Sequence, residues 1–228
     1  MLRSIRTLSL FILGLIVLAC SKPAIAQEQN RKFEVFAIAG TGTLKSGLAS
    51  AEHEVDFGQD SSRGSANFGG AFGFRPISQL GIEFEAFGIG SHSLSAKKEI
   101  GREQLEMEKD YTGYSISINP VVHLYRFEGT HNMSFEPYAV GGLGVFHLES
   151  TTTETLSRYR CVFIICGFSP IPGERDIIGS TTNEFAANIG FGAKAYLVSW
   201  FSLRPEYKYL RSSSVRLHRL SIALGFHW

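Results

Sequence analysis

From residue 32 to the end of the chain, apolar and polar positions alternate with a period of two, and helical periodicity is almost absent. In "SANFGGAFGFR" (65–75), Phe68, Phe72 and Phe74 share one face, while Asn67, Gly69, Ala71, Gly73 and Arg75 share the other. "LGIEFEAFG" (80–88) sets Leu80, Ile82, Phe84 and Ala86 against Gly81, Glu83 and Glu85. "YSISINPVVHLY" (114–125) sets Tyr114, Ile116, Ile118, Val122 and Leu124 against Ser115, Ser117, Asn119 and His123. "FAANIGFGAKAYL" (185–197) opposes Phe185, Ile189 and Phe191 to Asn188, Gly190, Gly192 and Lys194. "FSLRPEYKYL" (201–210) opposes Leu203, Tyr207 and Tyr209 to Ser202, Arg204, Glu206 and Lys208. "HRLSIALGFHW" (218–228) opposes Leu220, Ile222, Leu224, Phe226 and Trp228 to Arg219, Ser221, Ala223, Gly225 and His227. "PYAVGGLGVF" (137–146) alternates less cleanly, and "KFEVFAIAG" (32–40) carries Phe and Ile on both faces. Together these segments make eight strands.

The connections alternate too. "PISQ" (76–79), 128–134 and "VSW" (198–200) are short, whereas 43–64, 91–111 and 149–182 are long; 211–216 is modest. Short turns on one side and long loops on the other are the mark of an up-and-down barrel with both termini on the short-turn side. Strands of about ten residues match the length that crosses a bilayer at a tilt.

Alternation alone does not say which face is outside. A water-soluble barrel keeps its apolar face inward, and a membrane barrel turns it outward. A solvated face would be rich in Lys, Glu and Thr, but here the polar faces are largely glycine. Glycine weakens a strand and needs a reason. Crowding supplies one, because an eight-stranded interior only just holds its side chains. The expectation is a lumen packed with Gly and ion pairs: Glu83, Glu85, Glu136 and Glu206 with Arg75, Lys194, Arg204 and Lys208. An unpaired charge there would be costly, and a connected network far less so. In lipid no backbone group can stay unpaired, so the last strand must close on the first. Pro120 and Pro205 each remove a ladder donor and are placed at bulges or near the rim.

Composition agrees with this fold class: all-β, an eight-stranded antiparallel transmembrane barrel with N- and C-termini in the periplasm. Among 228 residues, Gly (24) and Phe (18) are both abundant, as alternating small and aromatic positions require. The net charge of +1 gives no general pull toward nucleic acid. The first 26 residues read as a signal peptide: Arg3 and Arg6, an apolar run from Leu8 to Ala19, then small residues at Ala24 and Ala26. Cleavage is expected before Gln27, leaving 27–228 as the barrel domain with net charge −2. "VLAC" (17–20) offers the alternative of a lipidated Cys20. Export places Cys161 and Cys166 in an oxidising compartment, where two nearby thiols pair, so a disulfide within 149–182 is expected. The apolar Val162–Ile165 run makes that loop the candidate surface for an extracellular partner.

The segments "FEPYAVGGLGVFH", "FAANIGFGAKAYL", "FSLRPEYKYL" and "IALGFHW" resemble the small eight-stranded outer-membrane barrels, the OmpA/OmpX-like beta-barrel domains, over about 31–228. The resemblance implies outer-membrane lipid and lipopolysaccharide as surroundings. It also implies that Phe226 and Trp228 belong to a signal read by the barrel-assembly machinery. Trp stands here where the family ends on Phe, and Ala223 where Gly is common. Some barrels of this kind modify lipid A, and a deacylase would need Ser, His and a carboxylate together. His92, Ser93, His123 and His147 are the candidates, without a distinctive spacing. "GTGTLKSG" (40–47) lacks the ending and following helix of a phosphate loop. The expectation is a monomeric, non-enzymatic barrel with a plugged lumen, serving envelope integrity or surface contact and needing no cofactor or metal. A lipid A-modifying enzyme and a narrow small-solute channel are the alternatives.

Overall fold

The computed structural model describes residues 32–50, 55–61, 64–101, 103–124, 126–128, 133–162 and 165–228, without the side chains of 48–61 and 160–175. The leader over 1–26, its cleavage before Gln27 and the alternative at Cys20 lie outside the described residues. The strands are β1 (Phe33–Ser50), β2 (Val55–Ser61), β3 (Ser65–Ile77), β4 (Leu80–Ile100), β5 (Glu103–His123), β6 (Phe127–Glu128), β7 (Ser134–Val162), β8 (Ile165–Val198), β9 (Phe201–Arg211) and β10 (Val215–His227).

Neighbouring strands pair antiparallel in the order β10-β9-β8-β7-β5-β4-β3-β1, and β10 returns to β1. That closing ladder runs from Glu34↔His227 to Ser46↔Val215, so the ring of eight strands has no open edge along it. Its far end is sealed by an exchange of backbone hydrogen bonds: Phe33 donates to Trp228 at 3.2 Å, and Trp228 donates to Phe33 at 3.1 Å. Both ends of the barrel domain therefore sit with the tight turns at Ser78–Gln79 and Ser199–Trp200. The two remaining strands are accessory: β2 folds back on the end of β1, and β6 on the start of β7.

Two of the long connections differ from the loops read in the sequence, while "KKEIGREQLEMEKD" (97–110), whose charges allow a solvated loop or a short extended hairpin, takes the hairpin. Residues 91–111 continue β4 and β5 as a hairpin that turns at Gly101, whose φ of 65° suits glycine. Residues 149–162 and 165–182 continue β7 and β8, with one register slip between Thr155 and Ser157. Within 43–64, the end of β1 pairs with β2. Charges on both faces hide the period there, yet Leu94, Leu105, Met107 and Tyr111 still recur on the inward side. The prolines also differ. The β5–β7 ladder skips the pairs at Asn119 and Pro120, and the β8–β9 ladder skips those at Arg204 and Pro205. Register is unchanged across both gaps, so neither is a bulge. Each proline still has a register partner on its other side, Ile82 for Pro120 and Ile222 for Pro205, because a proline lacks only one donor.

The faces divide with the ordinary order inverted. Phe68, Phe84, Ile116, Leu143, Ile189, Phe191, Leu220 and Ile222 are exposed, and Phe185 is 88% exposed. Glu83, Glu85, Arg204, Glu206 and Lys208 are buried, and Arg219 is 0% exposed. On β1, Glu34, Phe36 and Ile38 point in, leaving Val35, Ala37 and Ala39 outside. Charged residues are almost never fully buried in water-soluble proteins unless paired, and a continuous apolar exterior needs hydrocarbon around it.

Candidate functional site

The interior is layered along the barrel axis. At mid-height, β4 contributes Glu83 and Glu85, β9 contributes Arg204, Glu206 and Lys208, and β10 contributes Arg219. Because β4 and β9 lie four strands apart in the ring, their pairs cross the lumen. Arg204 grips Glu83 through both terminal nitrogens, one contact being 3.1 Å, and reaches Glu206 at 2.9 Å. Arg219 holds Glu85 at 2.8 and 3.0 Å and Glu206 at 3.0 Å. Lys208 lies 2.8 Å from Glu85 and 3.3 Å from Glu206. Tyr138 donates to Glu206 at 2.7 Å. Three cations thus face three carboxylates.

A second group lies nearer the tight turns. Lys194 pairs with Glu34, and Arg75 lies 2.9 Å from Glu136 and 3.6 Å from Glu34. His123 Nδ1 is 2.9 Å from Glu136, and Tyr196 donates to Glu136 at 2.9 Å. His227 turns inward, 2.6 Å from Ser202 and 3.3 Å from Glu34. Here two permanent cations face two carboxylates. The Phe36 ring stands between the groups, with Arg204 at 4.3 Å and Lys194 at 5.1 Å from its centroid. Cation–π contact at such distances stabilises buried guanidinium and ammonium groups.

Arg219, Glu34, His227 and Tyr138 were not named from the sequence as members of the network. Arg219 and His227 were legible, since the alternation of 218–228 puts them on the face of Ser221. Glu34 was not, because its strand has large apolar residues on both sides.

Toward the long hairpins the interior becomes apolar. Leu44, Phe87, Ile89, Leu94, Met107, Tyr111, Phe146, Leu148, Leu210, Val215 and Leu217 form one buried cluster. It meets the charged layer where Arg219 lies over Phe87 at 4.4 Å, and Phe87 meets Phe146 edge-on at 6.3 Å. Ser46 and Tyr111 share a 2.8 Å hydrogen bond near its upper limit. Glycine makes room in the packed interior. A Cβ added at Gly225 would stand against the Phe36 ring, well inside contact distance.

The residues considered for lipid chemistry do not converge. His92 points inward, Ser93 points outward and bonds Asp110, and His123 lies at the other end of β5. His147 is on the outside, stacked on Tyr114 at 4.7 Å and 2.7 Å from Asn183. Phe226 and Trp228 face outward at the closing seam, where Phe226 stacks on Trp200 at 6.0 Å and Trp228 on Phe33 at 6.4 Å. Cys161 and Cys166 are direct register partners across β7 and β8; their side chains lie outside the described residues.

At the long-hairpin rim, the Ser212–Ser214 turn joins β9 to β10. Glu184 on β8 accepts from the Ser214 backbone at 3.1 Å. Burial pushes its carboxyl up, but hydrogen bonds from Ser214, Ser212 and Ser213 outweigh this and bring it down to about 2.

The profile of the outer membrane protein beta-barrel domain family matches residues 12–227. Among solved structures, the outer membrane protein OprG from Pseudomonas aeruginosa aligns with a TM-score of 0.50 at 13% identity, over 89% of this chain and all (100%) of its own. Ail, the attachment invasion locus protein of Yersinia pestis, aligns at 0.46 and 11% identity, over 87% of this chain and 100% of its own. Neisserial surface protein A aligns at 0.46 and 15%, over 86% and 97%. No curated protein sequence matches. At such identity the OprG likeness speaks to the fold alone.

Proposed function

This chain belongs to the outer membrane protein beta-barrel domain family and resides in the bacterial outer membrane, and from that premise we propose that it is a closed, non-enzymatic surface barrel. The tight turns and both ends of the barrel domain face the periplasm, after removal of a leader ending at Ala26. The long hairpins β4–β5 and β7–β8 stand outside the cell. The asymmetry between short turns and long hairpins supports this orientation. The barrel works as a monomer, stiffening the envelope and presenting the β7–β8 hairpin, braced by a Cys161–Cys166 disulfide, to a partner.

The observation that carries the closed lumen is its layering. Two charge-balanced groups fill the lower interior, and a buried apolar cluster fills the upper. An ion entering from outside would have to cross packed Leu, Phe and Met side chains. An ion entering from the periplasm would have to break crossed ion pairs in low dielectric. Catalysis is disfavoured by the scatter of His92, Ser93, His123 and His147 over both faces.

The protein refolded into planar bilayers is expected to give no steady conductance, and its presence is expected to leave the mass profile of lipid A unchanged. Stepwise ion currents would move the reading to a channel. A lost or gained acyl chain would move it to an enzyme.

A further inference from the structure

Outside the lumen, three cations stand in one row across three adjacent strands. Lys45 on β1 is the register partner of Arg216 on β10, and Arg216 is the register partner of Arg211 on β9. All three point outward, since Leu44, Ser46, Leu210, Val215 and Leu217 beside them are buried inside. Like charges directly opposite one another destabilise a sheet. None of the three forms an ion pair among the described residues. Glu184, on β8 beside the Ser212–Ser214 turn, is engaged by Ser214 and its neighbouring serines. The three residues bound a polar recess of about 80 Å³ together with Ser46, Gly47, Val215 and the Ser212–Ser214 turn, and a Cβ on Gly47 would meet nothing within 4 Å. Among the described residues, no carboxylate pairs with this row of cations.

Its height suggests the source of that charge. Below the row on the same outer surface come Tyr209 and His218, whose tilted rings lie 4.9 Å apart, then Tyr207, which bonds His218 at 2.7 Å. Leu220, Ile222 and Leu224 follow, and the surface ends at Phe226 and Trp228. From Arg216 to Trp228 the barrel axis covers about 30 Å at ordinary rise and tilt. The apolar band of such barrels is about 25 Å, flanked by aromatic girdles. The cations therefore sit one step beyond the upper girdle, where lipid headgroups lie.

We propose that Lys45, Arg211 and Arg216 form a binding site for the phosphate of an outer-leaflet glycolipid. Guanidinium groups take phosphate oxygens in bidentate fashion, and two of them flanked by an ammonium fit one phosphate group. The occupied site screens the opposed charges and joins β9, β10 and β1 at the seam where the barrel closes. The proposal rests on the orientation above, with the long hairpins outside the cell.

Bisphosphorylated lipid A, dephosphorylated lipid A and inorganic phosphate are the probes, offered to the purified barrel in zwitterionic detergent and read by native mass spectrometry. Bisphosphorylated lipid A is expected to bind at least tenfold more tightly than its dephosphorylated form. The triple variant K45Q/R211Q/R216Q is expected to lose that advantage, and the control K97Q/K109Q to keep it. R211K/R216K retains the charge without the fork and is expected to fall between, which keeps the test open should the triple variant fold poorly. Equal binding by native and triple variant, or equal binding of the two lipids, overturns the proposal. Inorganic phosphate binding as tightly as the phosphorylated lipid overturns its lipid source. Heat-modifiable migration on a gel reports folding of each variant. Protease access to the β7–β8 hairpin on intact cells reports orientation, so failure of that premise is seen separately.

Discussion

Arg204 shows how a single residue depends on the whole lumen. Its side chain is 1% exposed, touching Glu83, Glu206 and the Phe36 ring, and every partner comes from another position in the tube. Replacing it with alanine strands Glu83 and leaves Glu206 with two cations, Lys208 and Arg219, and the Tyr138 hydroxyl. Breaking a buried pair from one side costs about 3–5 kcal/mol. Arg204→Ala is therefore expected to lower the urea stability of the vesicle-refolded barrel by that order. The double variant R204M/E83Q is expected to recover part of the loss, because no carboxylate is then left without its cation. Equal losses in the single and double variants would mean that packing of the side chain, and not its charge, sets the effect.

At the scale of one element, the Ser212–Ser214 turn depends on a carboxylate from a strand next door. Glu184 titrates near 2 when folded, against an ordinary value of 4.5. A depressed carboxyl contributes stability that is complete above the unfolded value and is lost as pH falls through the folded one. Protection of the Ser214 amide from hydrogen exchange is thus expected to hold above about pH 4.5 and to fade as pH drops toward 2. Glu184→Gln is expected to remove that acid limb and leave the rest of the β9–β10 ladder protected. An unchanged acid limb in the variant would assign it to another group. The longer hairpins follow the same logic of borrowed support. Their inward Leu94, Met107 and Leu148 join the upper cluster, so the strands continue past the ring.

For the whole molecule, closure is the decisive event. The β1–β10 ladder joins the two ends of the domain, and Phe226 and Trp228 stack on Trp200 and Phe33 beside it. The proposed recognition of those aromatics by the assembly machinery separates from their packing role by experiment. F226A/W228A is expected to cut the amount reaching the outer-membrane fraction several-fold, while refolding into lipid vesicles persists. Parallel loss in both settings would make the aromatics structural only.

The alternation of Phe68, Phe72 and Phe74 with glycine, and its recurrence along the chain, determined the strands and which residues share a face in six of the eight segments, and the glycine and charge content of the polar faces set which side turns inward. Period two is a local property of an extended backbone, so it is written residue by residue. Glu83, Glu85, Arg204, Glu206 and Lys208 were legible as inward charges for that reason. Which charge meets which was decided only by the closed tube. Arg204 reaches Glu83 across a diameter that depends on strand number and stagger, quantities of the ring and not of any segment. The same holds for the inward turn of Glu34, the continuation of 91–111 and 149–182 as hairpins, and the row of Lys45, Arg216 and Arg211. These residues stand far apart in the chain, and only the register of paired strands brings them side by side.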